Sequence, residues 1–302
     1  MRIVITGGTG LIGGALAREM GTAGHDVVVL TRDPDRAGTL PPGVRAARWD
    51  GRTAQGWSSL LEADTAIVHL AGESVAQGRW TAEKKRRIRD SRVVSGAAVM
   101  DAIREAPVKP RVLIQSSAVG YYGGRGDEVI SEDAPPGRDF LSDVCKEWEA
   151  STAEAESLGV RRAVARTGIV LAREGGALPV MSLPFKMMIG GPIGDGRQWF
   201  PWIHIEDEVG ALRFLLERDE ARGPFNLTAP HPVTNRELTK TLARTLGRPG
   251  LLPAPGFALR IALGEMADSL LQGQRAVPSR LSELGYVFRW PELEPALRNL
   301  LD

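Results

Sequence analysis

Short runs of aliphatic residues alternate with stretches of helical periodicity through the first half of the chain. Three of these runs, IVI at 3–5, VVVL at 27–30 and AIVHL at 66–70, are almost continuously hydrophobic, which is typical of parallel strands covered on both faces. The pattern predicts strands at Arg2–Thr6, Asp26–Leu30, Val44–Arg48, Thr65–Leu70, Arg111–Ser116 and Arg161–Thr167. It predicts helices between them at Gly10–Gly21, Trp57–Glu62, Thr81–Glu105 and Leu141–Ser157. Such alternation predicts an α/β protein with a parallel sheet between two layers of helices.

The rhythm changes after about Ala172. Glycine and proline crowd the stretches REGGALP (173–179) and MIGGPIGDG (188–196), which is typical of loop-rich structure. A helix at about Asp207–Glu217 and a short strand in PFNLTA (224–229) follow, and Thr234 with Glu237 forms a capping box that predicts a helix at Asn235–Leu246. The tail predicts two or three helices around a strand-like GYVFRW (285–290). We therefore expect a sheet domain of residues 1–172 plus about 198–222, and a smaller C-terminal α/β substrate lobe of about 173–197 and 223–302.

Composition excludes several classes of partner. The 302 residues carry a formal net charge of +1, so no electrostatic field favours nucleic acid or an anionic membrane surface. The single cysteine, Cys145, excludes an internal disulfide, and no Cys/His group has zinc-site spacing. The chain has no apolar stretch of about 18 residues and its first residues enter a strand at once. We expect a cytoplasmic protein that acts on a small molecule, and the sequence leaves a homodimer open.

The most informative motif is the glycine loop that joins the first strand to the first helix. In RIVITGGTGLIGGALA, the order Gly7-x-x-Gly10-x-x-Gly13 follows a strand directly and opens a helix. The first glycine permits a tight turn, the second lets a pyrophosphate approach the backbone, and the third lets the helix pack closely on the strand. The motif predicts a Rossmann-type doubly wound sheet that binds a dinucleotide. The loop residues expected to line that site are Gly7, Thr9, Gly10, Leu11, Ile12 and Gly13.

The end of the second strand favours NADP over NAD. Proteins that bind NAD usually place an acidic residue about 20 residues past the glycines, where it binds the ribose 2′-hydroxyl. Here Thr31 and Arg32 stand at that point, and Arg32 could pair with a 2′-phosphate, with Arg36 as a second cation. Asp33 remains an alternative ribose ligand if the strand ends later, and a solvated charged turn is the structural alternative.

The glycine loop TGGTGLIG (6–13) resembles that of the extended short-chain dehydrogenases/reductases, which include nucleotide-sugar epimerases and dehydratases. Later stretches resemble landmarks of the same class in the same order: ARWDG, HLAGE, SSAVGYYG and WIHIEDE. Others resemble an atypical, epimerase-like branch: GRWTAEKKRRIRDSR, FLSDVCKEWE, GRQWFPWIH and the tail segment GEMADSLLQGQRAVPSRLSELGYVF. The resemblance covers essentially the whole chain.

This resemblance implies further cofactor contacts. It places Asp50 near the adenine and Lys146 on the nicotinamide ribose, although Asp50 could equally be a turn residue. The segment Leu70, Ala71 and Gly72 is expected to line the groove, and Gly168 and Val170 to lie near the nicotinamide. Core packing is an equally good explanation for Leu70 and Val170.

The usual proton-transfer pair of the class is missing. Short-chain dehydrogenases carry Tyr-x-x-x-Lys on one helix, but Lys146 has Ser142 four residues before it. A serine hydroxyl titrates too high to replace tyrosine directly, so Ser142 could act only through water. The catalytic serine of the class falls on Ala118, with Ser117 as its neighbour. We therefore take Tyr122, Ser117 and Lys146 as candidate catalytic residues, with packing as the alternative for Tyr122.

Several polar and aromatic residues are candidates for substrate contact. Glu73 follows the fourth strand and so lies at the sheet edge where ligands of such folds bind. The basic run EKKRRIRDSR (83–92) has helical periodicity that favours a solvated face, with Lys84 or Arg92 left to meet an anionic substrate. His69 and His204 are expected to be structural. The remaining substrate candidates are Glu73, Tyr121, Arg197, Trp199 and Trp202.

Two functions remain open on the sequence. The first is an NADP(H)-dependent oxidoreductase or epimerase-like enzyme, with its proton supplied by Tyr122, Ser117, Glu73 or water. The second is a catalytically silent NADP-binding regulator or scaffold, which the absent Tyr-x-x-x-Lys pair favours.

Overall fold

The structure, a computed structural model, describes residues 1–36, 38 and 40–302, and of Arg36 only the backbone. Its strands, in chain order, are β1 (Arg2–Thr6), β2 (Asp26–Thr31), β3 (Val44–Arg48), β4 (Thr65–His69), β5 (Val112–Ala118), β6 (Val129–Ile130), β7 (Arg161–Thr167), β8 (Ile169–Leu171), β9 (Trp199–Phe200), β10 (Trp202–His204), β11 (Gly223–Leu227), β12 (Val233–Thr234) and β13 (Arg275–Ala276).

The described α-helices are α1 (Leu11–Thr22), α2 (Ala82–Glu105), α3 (Phe140–Ala150), α4 (Ala177–Lys186), α5 (Ile205–Glu217), α6 (Asn235–Leu246), α7 (Gly256–Leu263), α8 (Met266–Leu271), α9 (Ser279–Glu283) and α10 (Leu293–Leu301). Short 3₁₀ turns occur at Pro34–Arg36, Ser58–Leu60, Val119–Tyr122 and Ala153–Glu156. No helix in the described part of the chain is long and apolar enough to cross a membrane.

Seven strands form one parallel sheet in the order β11-β7-β5-β4-β1-β2-β3. The chain runs outward from β1 to β3, returns to β4 on the other side of β1, and continues outward. This reversal places a crevice above the carboxyl ends of β1 and β4, where ligands of doubly wound sheets bind. The predicted Rossmann-type α/β fold is confirmed.

Alternation along each strand divides the core into two layers. Ile3 and Ile5 face a cluster that includes α1 and α5, whereas Val4 faces the opposite cluster beneath α2. All three side chains are fully buried, and burying a side chain of this size stabilises the fold by about 1.5–3 kcal/mol. The two layers hold the loops at the carboxyl edge of the sheet in fixed positions.

A third cluster forms the core of the C-terminal lobe. It brings α4, α6 and α10 together around the buried side chain of Trp202. The predicted capping box of α6 is present, because the Thr234 hydroxyl accepts from the Glu237 N–H and the Glu237 carboxylate accepts from the Thr234 N–H. Gly247 ends this helix in the left-handed conformation, with φ +61°.

Some predicted elements differ from those observed. The predicted helix at Trp57–Glu62 is only a 3₁₀ turn, and the one predicted at Leu141–Ser157 ends at Ala150. The strand-like segment 285–290 forms no strand in the described structure, because the main-chain N–H groups of Arg289 and Trp290 bind the Asp207 carboxylate instead. Residues 223–227, assigned above to the lobe, form the edge strand β11 of the sheet.

Candidate functional site

The glycine loop has the close packing that its sequence predicts. Gly7 has φ +69°, and a Cβ atom there would lie 2.9 Å from the carbonyl of Leu70. A Cβ at Gly13 would lie 2.4 Å from the carbonyl oxygen of Gly7, so helix α1 can approach β1 only with glycine at this position. Thr9 and Gly10 are exposed at the rim, and Leu11 and Ile12 are half-buried. Gly10 precedes α1 without a side-chain cap, which leaves the first-turn N–H groups available to an anion.

The end of β1 is joined to the end of β4 by a buried polar contact. The Thr6 hydroxyl oxygen accepts from the main-chain N–H groups of Leu70 (3.1 Å) and Ala71 (3.2 Å) and lies 2.8 Å from His69 Nδ1. This leaves the hydroxyl proton for Nδ1, so the His69 ring carries its own proton on Nε2, 3.3 Å from the Ser95 hydroxyl. Burial lowers the pKa of His69 to about 3. His69 is a neutral structural residue, as the sequence predicted.

The end of β2 presents a positive side chain to solvent. Arg32 is exposed directly after the strand, and Thr31 is half-buried, with its hydroxyl accepting from the Asp33 N–H at 3.3 Å. The side chain of Arg36 lies outside the part of the chain that the structure describes. Asp50 accepts from the N–H groups of Arg52 and Thr53, so it is a turn residue here. The adenine contact that the resemblance implies for Asp50 stays a prediction.

The remaining groove residues surround the carboxyl edge of the sheet. Gly72 is exposed, and Ala71 and Leu70 are half-buried, with Leu70 also packed on the core. Gly168 must be small because a Cβ there would lie 2.3 Å from the carbonyl oxygen of Pro201. Val170 packs against the core in the same way as Leu70. Core packing thus accounts for Leu70 and Val170 without a ligand, and their cofactor contacts stay predictions.

Ser142 fills the position of the missing tyrosine and is fully buried. Its hydroxyl lies 3.0 Å from the Gly120 carbonyl oxygen and 2.9 Å from Asp139 Oδ1, which also caps helix α3. Lys146, one turn later, is 40% exposed and pairs with Asp143 at 2.7 Å. The lysine therefore has an accessible ammonium, while Ser142 has no hydroxyl proton free for a ligand.

Tyr122 and Ser117 belong to a buried ionic network. Arg166 binds both carboxylate oxygens of Glu149, at 2.8 and 2.9 Å, and donates to the Tyr122 hydroxyl at 3.0 Å. Tyr122 in turn donates to Asn226 Oδ1 at 2.7 Å, and Ser117 donates to Glu149 at 2.7 Å. Burial raises the pKa of Tyr122 to about 12. Both hydroxyls are engaged away from solvent, which argues against either of them as the proton donor.

Tyr121 differs from its neighbour because its hydroxyl has no partner among the described residues. Its ring lies under the guanidinium of Arg166, 3.5 Å from the ring centroid, and it is half-buried. Beside Tyr122 is a polar cavity of about 420 Å³, lined in part by Arg125, Arg138 and Asp139 from the β5–α3 connection and by Gln272 from the lobe. A larger groove of about 620 Å³ between α6 and α10 contains none of the predicted site residues.

Glu73 is held in an ion-pair cluster at the edge of the sheet. Its carboxylate accepts from Lys84 Nζ at 2.6 Å and from Arg87 Nε at 3.3 Å. The hydrogen bond from Lys84 lowers the pKa of Glu73 below its ordinary value. A carboxylate held ionised by two cations is a poor proton donor, so this geometry argues against Glu73 as the catalytic acid.

The three predicted substrate contacts in GRQWFPW (196–202) lie in different environments. Trp202 is wrong as a substrate residue, because it is fully buried in the core of the lobe. Trp199 is half-buried, donates from its indole N–H to Asp127 at 2.8 Å, and lies against Arg275. Arg197 is exposed and its side chain has no partner among the described residues. The sequence could not distinguish a tryptophan in the core of the lobe from one in a pocket wall.

Glu208 is a buried acid that the sequence analysis missed. Its Oε1 accepts from the Thr167 hydroxyl at 2.8 Å, and its Oε2 is buried without a partner. Desolvation raises the pKa of Glu208 from 4.5 to about 8, so the group is neutral at pH 7. The signal was the third acidic residue in the run Glu206-Asp207-Glu208, directly before the apolar residues of helix α5.

We expect Glu208→Gln to change the pH dependence of stability. The folded pKa of Glu208 lies above the unfolded one, so its contribution is fully present below about pH 4.5 and is lost as pH rises through about 8. The free energy of unfolding of the wild type should therefore fall by about 4 kcal/mol relative to the variant between these pH values. Urea titrations of both proteins from pH 5 to pH 8.5 measure this difference. Parallel pH profiles would show that Glu208 does not titrate in this range.

The comparisons with known proteins agree with this geometry. Residues 3–228 match the NAD dependent epimerase/dehydratase family, and residues 254–300 match a domain of unknown function. The epimerase family protein YfhF of Bacillus subtilis is 40% identical over 100% of this chain and 98% of its own length. The chloroplastic SDR39U1 homolog of Arabidopsis thaliana, also an epimerase family protein, is 38% identical over 100% of this chain and 87% of its own length.

Among solved structures, human epimerase family protein SDR39U1 (isoform 2), crystallised with NADPH, superposes with a TM-score of 0.89. It shares 35% sequence identity, and the match covers 99% of both chains. The resemblance drawn from the motifs is therefore confirmed over the whole chain. This chain belongs to the NAD dependent epimerase/dehydratase family and shares the C-terminal domain of the SDR39U1-like epimerase proteins.

Proposed function

We propose that this protein is an NADP(H)-dependent oxidoreductase or epimerase-like enzyme that acts on a small molecule without a Tyr-x-x-x-Lys pair. The observation that carries the proposal is the glycine loop, where Gly7 and Gly13 bring the uncapped start of α1 against the ends of β1 and β4. This loop has the shape and the free N–H groups that a dinucleotide pyrophosphate requires. The 35% identical human relative was crystallised with NADPH.

The second strand supports NADP rather than NAD as the cofactor. Arg32 is exposed where a 2′-phosphate would lie, and no hydrogen bond or ion pair holds its side chain among the described residues. An arginine guanidinium can pair with such a phosphate through two parallel hydrogen bonds. The residues present thus fit NADP(H), whose reduced form supplies a hydride at the nicotinamide when it is bound.

The residues of the chain would then bind the cofactor and orient the substrate. Lys146 would hold the nicotinamide ribose through its accessible ammonium, after leaving Asp143. Reduction of a substrate carbonyl would also require a proton on the carbonyl oxygen. Water in the polar cavity beside Tyr122 would supply this proton and would be reprotonated from solvent, because Tyr122 and Ser117 are engaged in buried hydrogen bonds. Arg138 and Gln272, which line the cavity, would orient the substrate.

A catalytically silent NADP-binding regulator is the second candidate. The buried, engaged hydroxyl of Ser142 favours it, since the described residue at the position of the family's tyrosine has no proton free for a ligand. A panel of aldehydes, ketones and sugar nucleotides, assayed for NADPH oxidation, separates the two functions. Turnover with any compound supports the enzyme. Silence over the panel, together with a protein partner that binds only the NADPH-loaded form, would support the regulator.

We expect Arg32→Ala to weaken NADPH binding by about tenfold, because it removes a charged hydrogen-bond donor to the 2′-phosphate. Binding of NADH should be unchanged, since NADH lacks this phosphate. Isothermal titration calorimetry with both nucleotides measures the two affinities. Arg18→Ala, an exposed arginine on α1, is the matched control. Equal losses for NADPH and NADH would contradict the assignment of Arg32.

A further inference from the structure

Arg92 is a half-buried cation at the carboxyl edge of the sheet that makes no direct ion pair with a carboxylate in the described structure. It extends from α2, and Nη1 donates to the main-chain oxygens of Glu73 (3.1 Å) and Ile88 (2.8 Å). These neutral acceptors are its only hydrogen-bond partners in the described chain. Burial lowers the pKa of Arg92 below its ordinary value, yet an arginine stays protonated in proteins. A positive charge therefore remains here with little compensation.

Glycine at position 72 leaves space for the Arg92 guanidinium. A Cβ at Gly72 would lie 3.0 Å from Arg92 Cζ, and 3.2 and 3.3 Å from its Nη2 and Nε. Such nearly equal distances place the guanidinium plane against the backbone of Gly72. Gly72 does not have a positive φ, so space and not backbone conformation requires glycine there. Because Gly72 is exposed on the groove side of β4, the guanidinium reaches close to the cleft.

Trp148, whose ring lies beside the Arg92 guanidinium, has a buried N–H group without an acceptor in the described structure. The Arg92 guanidinium lies 4.9 Å from the ring centroid of Trp148 on α3. The indole N–H of Trp148 is buried and has no acceptor among the described residues. Buried donors normally have partners, so an exception needs an explanation, and a bound ligand would provide one. The Nε–H and the Nη2 N–H groups of Arg92 also have no acceptor in the described structure, and together they form the edge that binds an oxyanion with two parallel hydrogen bonds.

The surrounding charge favours an anion. Lys84 and Arg87 both pair with the Glu73 carboxylate, and Arg87 pairs with Glu83 as well. The Glu73 carboxylate also stabilises the charge of Arg92 without contacting its guanidinium. The three cations Lys84, Arg87 and Arg92 therefore outnumber the two carboxylates of this cluster. We propose that the free Nε–Nη2 edge of Arg92 binds an oxyanion of the substrate, a carboxylate or a phosphate. This inference rests on the proposed function, and it makes the substrate an anionic compound held beside the cofactor groove.

The test uses the full-length protein saturated with NADPH and two probe anions, acetate and inorganic phosphate, at constant ionic strength. Calorimetric titration measures their affinities for the wild type, Arg92→Gln and Arg92→Lys. We expect the wild type to bind at least one anion, and Arg92→Gln to bind it at least about tenfold more weakly. Arg92→Lys should recover little of the anion affinity, because an ammonium lacks the planar pair of N–H donors of a guanidinium. The anion that binds identifies carboxylate or phosphate as the recognised group.

One control variant and a second variant that perturbs the guanidinium check this role. Arg86→Gln removes an exposed arginine from the same helix and should leave anion binding unchanged. Gly72→Ala keeps Arg92 but crowds its guanidinium, so it should weaken anion binding as well. The proposal is wrong if neither anion binds the wild type at about 50 mM. This concentration is far above the dissociation constant expected for a charged bidentate pair. It is also wrong if Arg92→Gln binds as the wild type does.

Parallel titrations without nucleotide keep the proposed function distinct. If NADPH fails to bind the wild type, the cofactor assignment fails, while anion binding by the nucleotide-free protein still reports on Arg92. If NADPH competes with the anion, Arg92 serves the cofactor instead, and the substrate role is overturned. If both ligands bind together and only the anion depends on Arg92, both inferences hold.

Discussion

Replacing Gly10 by glutamate is expected to abolish NADPH binding while the protein stays folded. Gly10 has φ −84°, which any residue can adopt, and the nearest atom to a Cβ there is the Gly7 carbonyl oxygen at 3.2 Å. The backbone can therefore accept a side chain with only a small adjustment. The carboxylate, however, would stand at the start of α1, where the pyrophosphate binds. We expect the affinity for NADPH to fall at least about 100-fold, or about 2.7 kcal/mol.

Calorimetry with NADPH and thermal unfolding of the free protein together check this result. Arg18→Glu is the matched control, because it adds the same carboxylate to an exposed position further along α1. It should bind NADPH nearly as the wild type does. If Gly10→Glu retains NADPH affinity, the glycine loop does not hold the pyrophosphate, and the proposed function loses its basis.

Removing the carboxylate of Glu149 is expected to cause a large loss of stability. The Arg166 side chain is 5% exposed and that of Glu149 is 15% exposed, and the two are joined by two hydrogen bonds. Glu149→Ala would leave the guanidinium buried beside Tyr121 and Tyr122 without its counter-charge. Breaking a buried pair from one side costs about 3–5 kcal/mol. Urea denaturation should show a loss in this range.

Two further variants distinguish a buried pair from an ordinary salt bridge. Glu154→Ala breaks the exposed pair with Arg104, and the urea midpoint should change little because surface pairs contribute weakly. The double variant Glu149→Leu/Arg166→Met removes both charges and should recover much of the lost stability. If Glu149→Ala unfolds at the wild-type urea concentration, the network contributes little to the fold.

Sequence periodicity predicted the sheet because buried parallel strands have a strong local signal. The runs at 3–5 and 27–30 lie in strands within one residue of their predicted bounds. The glycine loop was equally clear, since its spacing reflects steric requirements of neighbouring residues in the chain. The C-terminal end of helix α3 was less predictable. Helix α3 stops at Ala150, and Thr152 just beyond it binds Gln115 on β5, a contact between residues far apart in sequence.

The site chemistry was harder to predict for the same reason. Tyr121 and Tyr122 are adjacent in sequence, yet only Tyr122 contacts Asn226, 104 residues later. Sequence could not tell which hydroxyl was engaged, because the partner comes from β11. Trp202 was wrong as a ligand because the lobe core forms from α4, α6 and α10, all outside its local segment. The partnerless guanidinium of Arg92 likewise becomes visible only when Gly72 and Trp148 are placed around it.

The contact between Thr6 and His69 has a practical consequence for solution work. The imidazole ring that joins the two central strands takes up no proton between about pH 5 and 8. The junction of β1 and β4 therefore keeps one protonation state throughout the range in which nucleotide titrations are run. A bend in a plot of log affinity against pH then does not come from His69 and reports on other groups, such as the ligand's own phosphate or Glu208.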